Sequence, residues 1–142
     1  MDKKIVANEL LLEEAARLME EGREVNFTPL GNSMLPFIKG GKDSVRLQKK
    51  PSVAVGDIAL VRLPGPRYVL HRVIKTDGNR LILMGDGNIC GTEHCTSNDV
   101  IALVTEIHKE NGKKVIPGKA AFWRRIRPLR RYILAIYKRV IL

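Results

Sequence analysis

Several residue types that mark specialised protein classes are scarce in this sequence of 142 residues. It has two cysteines, Cys90 and Cys95, which are too few for a disulfide scaffold and are either free thiols or one local pair. No stretch reaches the roughly 18 uncharged residues that a membrane-spanning helix needs, and there is no internal repeat. We therefore set aside disulfide-rich, repetitive and helical membrane-spanning classes.

The first residues also lack the apolar core of a secretory signal. Five glutamates interrupt residues 1–22, namely Glu9, Glu13, Glu14, Glu20 and Glu21. On this ground we expect a cytoplasmic protein. With 44% hydrophobic residues, the chain is long enough to form one domain with a buried core.

Positive charge is concentrated at the C-terminal end. Residues 120–142 carry seven arginines and lysines and no acidic residue. Removing these seven charges from the net charge of +10 leaves +3 for residues 1–119. Any partner inferred from the charge is therefore a partner of this segment.

The hydrophobic pattern predicts one leading helix followed by short strands. Helical spacing covers residues 6–21, and Gly22 stands at the usual C-terminal position. Alternation then predicts strands at 24–30, 43–48, 58–63, 68–75, 80–84, 100–108 and 113–116. We expect a mainly β, α+β fold: a coiled antiparallel sheet or partly closed barrel with an N-terminal helix and a basic amphipathic C-terminal helix. The predicted units are residues 1–22 (helix packed on the domain), 23–118 (β domain) and 119–142 (helical tail).

Helical spacing returns in the C-terminal segment. Six apolar residues step by four, three, four, three and four positions, namely Phe122, Ile126, Leu129, Ile133, Ile136 and Val140. Pro128 predicts a kink or two shorter helices. Two interpretations stay open: the stripe adsorbs to an anionic membrane surface, or it packs on the sheet while the arginines are solvated.

The segment Gly-Asn-Ser-Met-Leu-Pro at 31–36 places Ser33 where a strand ends and the chain turns. A turn exposes a side chain together with backbone N–H groups. A nucleophilic serine needs both, because the N–H groups stabilise the developing oxyanion. A turn serine more often has only a structural role, so this segment alone does not establish catalysis.

A histidine stands in the fourth predicted strand. Alternation places His71 on the face shared with Val69 and Val73, and Arg72 on the other face. Neutral imidazole can accept a serine proton near neutral pH. A core histidine satisfied by a backbone carbonyl is the structural alternative.

Five short boxes follow one another in a recognisable order. They are Ser-Met-Leu-Pro at 33–36, Gly-Asp-Ile at 56–58, His-Arg-Val at 71–73, Gly-Asp-Gly-Asn at 85–88 and Asp-Val-Ile at 99–101. Together they resemble the signal peptidase I superfamily of signal-peptidase and repressor-type serine peptidases. The likeness is to its Ser-His branch, of the endoplasmic-reticulum and archaeal type, because the common bacterial branch carries lysine where His71 stands.

This resemblance implies a serine endopeptidase that cleaves a leader, signal-type or precursor peptide after a small residue. Ser33 would be the nucleophile, with its backbone N–H in the oxyanion hole, and His71 the general base. Asp86 is the first choice to orient His71 and Asp99 is the alternative, with Glu93 as a remote substitute. The residues expected to line the substrate pockets are Phe27, Leu30 and Met34.

The resemblance also implies that the strand at 25–29 presents an edge to an extended substrate. Some positions depart from the family pattern. Gly31 stands where many relatives have an oxyanion-assisting serine, a donor that Asn32 would replace in part. Gly91 and Thr92 stand where eukaryotic relatives have an aspartate pair, and an acidic amphipathic helix takes the place of the N-terminal membrane anchor of bacterial relatives.

A metal site is the other chemistry to weigh. Cys90, His94 and Cys95 lie within six residues and could bind zinc with a fourth partner. Without a second cluster the ligand set is incomplete, so we expect no metal and no other cofactor.

Other functions remain open beside the peptidase. A catalytically inactive relative would bind peptides or a membrane through the same sheet. A nucleic-acid-binding protein is disfavoured, because the cations cluster in one tail rich in Ile and Leu. The expected partners are a peptide or protein substrate and peripheral membrane contact through residues 120–142, with no nucleic acid.

Overall fold

The computed structural model describes residues 4–6, 9–65 and 67–141, and strands predominate in it. The strands are β1 (Lys4–Val6), β2 (Val25–Thr28), β3 (Ser44–Gln48), β4 (Ile58–Leu63), β5 (Arg67–Asp77), β6 (Arg80–Met84), β7 (Glu93–Thr96), β8 (Val100–His108) and β9 (Lys114–Val115). The α-helices are α1 (Glu9–Glu20), α2 (Ala121–Arg125) and α3 (Arg130–Ile141).

All nine strands of the described residues belong to one sheet, in the order β1-β2-β3-β8-β4-β5-β6-β7, with β9 beside β8. β1 and β2 run parallel, and the other pairs are antiparallel. β1 and β7 form the two edges, so the sheet does not close into a barrel. The predicted mainly β, α+β fold with an antiparallel sheet is confirmed at this level.

The sheet coils around its main apolar core. α1 contributes Leu12, Ala15 and Met19 to this core, where they meet apolar residues of β2, β3, β4, β5 and β8. Three strands separate β2 from β5 in the sheet, yet both contact α1. A second core lies between β4, β5, β6 and β8 and includes Val73 and Leu83. Burial of each such side chain contributes about 1.5–3 kcal/mol to stability.

The leading helix is shorter than predicted. The prediction covered residues 6–21, but Val6 belongs to β1 and α1 begins at Glu9; positions 7 and 8 lie outside the described residues. Gly22 ends the helix as predicted. Its φ of 84° is left-handed, which favours glycine, and its N–H donates to the Met19 carbonyl at 2.9 Å.

Strand positions agree closely with the alternation of the sequence. β4, β6 and β8 have the predicted bounds, and the ends of the other predicted strands are shifted by at most two residues. β7 was not predicted, because its four residues (Glu-His-Cys-Thr) carry no run of apolar side chains. β7 matters for the site because it contains Glu93.

Two short helices form the C-terminal segment, separated by a 3₁₀ turn that contains Pro128, as predicted. Trp123 and Leu134 face inward and pack with Leu35 in a third apolar cluster. Of the apolar stripe read from the sequence, Ile126 packs partly against this cluster, and the other five residues are exposed. Among the described residues, no helix combines the length and apolar character needed to cross a membrane.

Candidate active site

Ser33 lies in the turn that follows β2. Pro29, directly after the last β2 residue, has no N–H with which to extend the ladder. In the turn itself, the Leu35 N–H donates to the Asn32 carbonyl at 3.2 Å. Asn32 is exposed while Met34 and Leu35 are buried, so the half-buried Ser33 stands at the boundary between solvent and core.

The loop after β6 packs its backbone directly against this turn. The Gly87 N–H donates to the Ser33 carbonyl at 2.7 Å. A Cβ atom placed on Gly85 would lie 2.4 Å from the Ser33 carbonyl oxygen, and one placed on Gly87 would lie 2.6 Å from that of Asn32. Side chains do not fit at such distances, so the Gly-Asp-Gly-Asn segment at 85–88 needs both glycines in order to pack against the serine turn.

His71 lies in β5, beside the point where the neighbouring strand β6 ends. The next residue, Arg72, pairs with Met84, which is the last residue of β6. On the other side of β6, Leu83 pairs with Glu93 of β7. The β6 strand therefore ends beside His71, and the side chain of Glu93 reaches across to it.

His71 and Glu93 form a hydrogen-bonded pair between Nδ1 of the ring and Oε1 of the carboxylate. Their side chains are only 8% and 16% exposed, so the contact is shielded from bulk water and its electrostatic strength is increased. With Nδ1 engaged, Nε2 is the nitrogen that can accept a proton from another group. A carboxylate at Nδ1 fixes the ring orientation and stabilises the imidazolium that forms.

Ser33 and His71 border the same cavity, whose volume is about 180 Å³. Its walls come from β2, the serine turn, β4, β5 and α1, and are mainly apolar. The three predicted substrate-pocket residues also line it, namely Phe27, Leu30 and Met34. The structure therefore brings together the predicted nucleophile, base and pocket residues, which lie far apart in the sequence.

Asp86, the first choice to orient His71, has a different partner. Arg72 donates from Nε to Asp86 Oδ1 at 2.9 Å and from Nη2 to Oδ2 at 2.7 Å, and both side chains are almost fully buried. Nη1 of Arg72 donates to the carbonyls of Gly56 and Gly118 at 2.8 and 2.7 Å. Both carboxylate oxygens of Asp86 are thus held by Arg72, and the structure does not bring Asp86 into hydrogen-bond contact with His71.

Asp99, the alternative orienter, is also engaged elsewhere. Its Oδ2 accepts hydrogen bonds from Thr96, from the backbone N–H at 2.9 Å and from the hydroxyl at 3.3 Å. These bonds cap the 3₁₀ turn before β8. The structure therefore does not bring Asp99 to His71, and Glu93, ranked last from the sequence, is the carboxylate that contacts His71.

The predicted oxyanion donors differ in placement. Ser33, whose backbone N–H is one predicted donor, borders the cavity. Asn32 is solvent-exposed and does not line the cavity, whereas Gly31 does. The expectation that Asn32 replaces a missing side-chain donor therefore finds no support in the geometry.

The edge of β2 is not free. β1 pairs with it in parallel, with Ile5 opposite Phe27, and β3 occupies its other side. The prediction that residues 25–29 offer an open edge to a substrate is therefore wrong for this arrangement of the chain. A substrate that adds to β2 as a strand has to take the place of β1.

Cys95 and His94 border a different hollow, of about 440 Å³, beside β5, β6 and β7. Strand alternation puts these two side chains on opposite faces of β7, which does not favour the zinc site considered above. Burial, with the negative charges of Asp99 and Glu93, raises the pKa of the Cys95 thiol to about 11. The thiol is therefore protonated near neutral pH and is a poor nucleophile, although this hollow is larger than the one at Ser33.

The C-terminal helices rest on the loop that supports the serine turn. The Trp123 indole N–H donates to the Asp86 carbonyl at 2.8 Å. Arg130 stacks over the Trp123 ring at 5.3 Å and donates to the Gly85 carbonyl at 3.3 Å. The segment read as a tail is thus in part a structural support of the site.

No protein-family model and no curated protein sequence matches this chain.

Proposed function

We propose that the chain is a serine endopeptidase of the signal-peptidase-like type, which cleaves a leader, signal-type or precursor peptide after a small residue. The observation that supports it most is that Ser33 and His71 border one cavity while Glu93 contacts Nδ1 of His71, which leaves Nε2 for another group. A hydroxyl, an imidazole and a carboxylate are the three groups that acyl transfer from a peptide uses.

In this mechanism the Ser33 Oγ attacks the scissile carbonyl carbon as His71 Nε2 takes the hydroxyl proton. The backbone N–H of Ser33 donates to the oxyanion, and Glu93 stabilises the imidazolium through Nδ1. His71 then gives the proton to the leaving amine as the C–N bond breaks, which leaves an acyl group on Ser33. Water, deprotonated by His71, releases the acid product and restores the serine.

Cavity size and lining support a small residue before the scissile bond. A volume of about 180 Å³ lies below the roughly 300–1,000 Å³ of pockets that hold larger ligands. The buried Phe27 and Met34 present apolar surface, and the exposed Leu30 borders the opening. Such a cavity fits a small side chain and favours an apolar neighbour.

Backbone recognition by β2 fits the same proposal. An extended peptide that replaced β1 would run parallel to β2 and lead toward Ser33, five positions after the last β2 residue. β1 has only three residues, so its displacement breaks few hydrogen bonds. We therefore place the substrate backbone along β2.

A second candidate function is a non-catalytic peptide-binding protein that uses the same cavity. It is favoured by the exposed position of Asn32, which leaves the oxyanion hole with backbone donors only. This candidate predicts that peptides bind and are not cleaved, with or without Ser33.

The test is cleavage of a pool of peptides in which small residues follow an apolar segment, with products identified by mass spectrometry. The wild-type protein and the control variants Ser52→Ala and His94→Ala should cleave, because Ser52 and His94 are exposed and lie outside the cavity. Ser33→Ala and His71→Ala should each lose about 10⁴-fold or more in kcat. Cleavage at wild-type rates by both variants would overturn the proposal.

A further inference from the structure

Helix α3 presents three distinct faces. Arg130 and Leu134 are buried against the domain, where they reach Gly85 and the Leu35 cluster. Successive helical residues are about 100° apart, which places the apolar residues Ile133, Ile136 and Val140 within an arc of about 60° on a second face. The third face, on the other side of the buried one, is basic and holds Arg131, Lys138 and Arg139.

The apolar face is exposed although the helix is already docked. Ile136 is 65% exposed and Val140 is 74% exposed. Phe122, Leu129 and Tyr132, from α2, the 3₁₀ turn and α3, add three large exposed side chains. Large apolar residues gathered in one short segment, rather than scattered singly, are a mark of an interaction surface.

Charge indicates what this surface contacts. Five cations of the segment are exposed beside the apolar residues, namely Arg125, Arg127, Arg131, Lys138 and Arg139. Residues 120–142 contain no acidic residue that could neutralise them. A face of Phe, Leu and Ile side chains next to a face of Arg and Lys is typical of helices that lie in the interface of an anionic bilayer.

We propose that the outer side of α2 and α3 docks on an anionic lipid surface, with the apolar face among the acyl chains and the basic face on the head groups. This proposal is independent of catalysis. Because the inner side of the same helices contacts Asp86 and Gly85, docking would set the loop that supports Ser33 close to the bilayer. A peptide with an apolar segment in the membrane would then reach the cavity from the lipid side.

The test is co-sedimentation of the full chain with vesicles of phosphatidylcholine mixed with phosphatidylglycerol, and with vesicles of phosphatidylcholine alone. Binding is expected to the anionic vesicles and to fall steeply with added salt. Replacing Arg131, Lys138 and Arg139 together by Gln should weaken it by about 100-fold. The matched charge control replaces Lys50, Lys113 and Lys114, exposed cations outside the helices, and should change it by only a few-fold.

The apolar contribution is tested by the double variant Ile136→Ser/Val140→Ser, which should weaken binding at least tenfold. Its control, Ile116→Ser, removes an equally exposed apolar side chain outside the helices and should have little effect. Unchanged near-ultraviolet circular dichroism verifies folding of each variant. Three results would each overturn the proposal. The wild-type protein could bind neutral and anionic vesicles equally, or bind duplex DNA but no vesicles. It could also bind no vesicles and form a dimer in solution that the double Ser variant dissociates.

Discussion

His71 and Glu93 are joined by a hydrogen bond between Nδ1 and Oε1, although 22 positions separate them in the chain. The bond depends on two neighbouring features: β6 ends beside His71, and β7 brings the carboxylate back to that end. Glu93 thereby supplies the carboxylate for His71, whereas Asp86 is bound to Arg72 and Asp99 caps the 3₁₀ turn before β8. The third member of the proposed catalytic group is consequently a glutamate on an edge strand.

Glu93→Gln should lower kcat without a large change in KM. The amide keeps the shape of the side chain but cannot stabilise the imidazolium, and the equivalent change in a serine protease costs about 10⁴-fold. Steady-state kinetics on one cleaved peptide measures both constants. Asp99→Asn is the matched control and should cleave nearly as fast as the wild type, whereas equal losses in both variants would argue against a special role for Glu93.

Gly87→Ala should reduce activity by about 100-fold, since a displacement of about 1 Å at a nucleophile has an effect of that order. The new Cβ would meet the Asn32 carbonyl oxygen at 2.6 Å and push the serine turn away. Gly118→Ala is the control, because a Cβ there has open space around it and Gly118 does not line the cavity. Similar kinetics for the two variants would mean that the contact with Gly87 does not position Ser33.

Asp86→Ala should destabilise the fold by about 3–5 kcal/mol, because it leaves the Arg72 guanidinium buried without its carboxylate. Chemical denaturation monitored by Trp123 fluorescence measures this loss. Glu20→Ala removes an exposed ion pair with Lys49 and should leave the midpoint almost unchanged. A small effect of Asp86→Ala would contradict the structural role given to this aspartate.

Deleting residues 1–6, which removes β1, should lower KM by about tenfold, equivalent to one or two net hydrogen bonds. A substrate would then add to β2 without displacing a strand. Deleting residues 1–3 leaves β1 in place and should leave KM unchanged. A higher KM after the longer deletion would show that β1 helps to form the binding site rather than competing for it.

Alternation and turn residues predicted most strands, and the ordered boxes predicted that Ser33 and His71 would share a site. The partner of His71 could not be found in this way. Asp86 stands in one of the ordered boxes and Glu93 does not. A carboxylate can contact His71 only if no buried cation nearby binds it, and the buried Arg72 binds Asp86. β7 was equally hidden, because an edge strand of four polar or small residues leaves almost no periodic signal.

The C-terminal stripe shows a different limit. Its spacing correctly predicted helices, but spacing cannot reveal which face packs. Trp123, Arg130 and Leu134 form the inward face, and they lie between the stripe residues in the sequence. A buried arginine that stacks on a tryptophan has no signature in a hydrophobic pattern.

Reaction of the protein with an acylating serine probe of the β-lactam type tests the central claim most directly, because it needs no knowledge of the substrate. Intact-mass and peptide-mapping analysis should find one covalent adduct, on Ser33, in the wild type and in His94→Ala. His71→Ala should not form it at a measurable rate. Absence of an adduct on Ser33 at neutral and alkaline pH, or equal labelling of Ser33 in His71→Ala, would contradict the account.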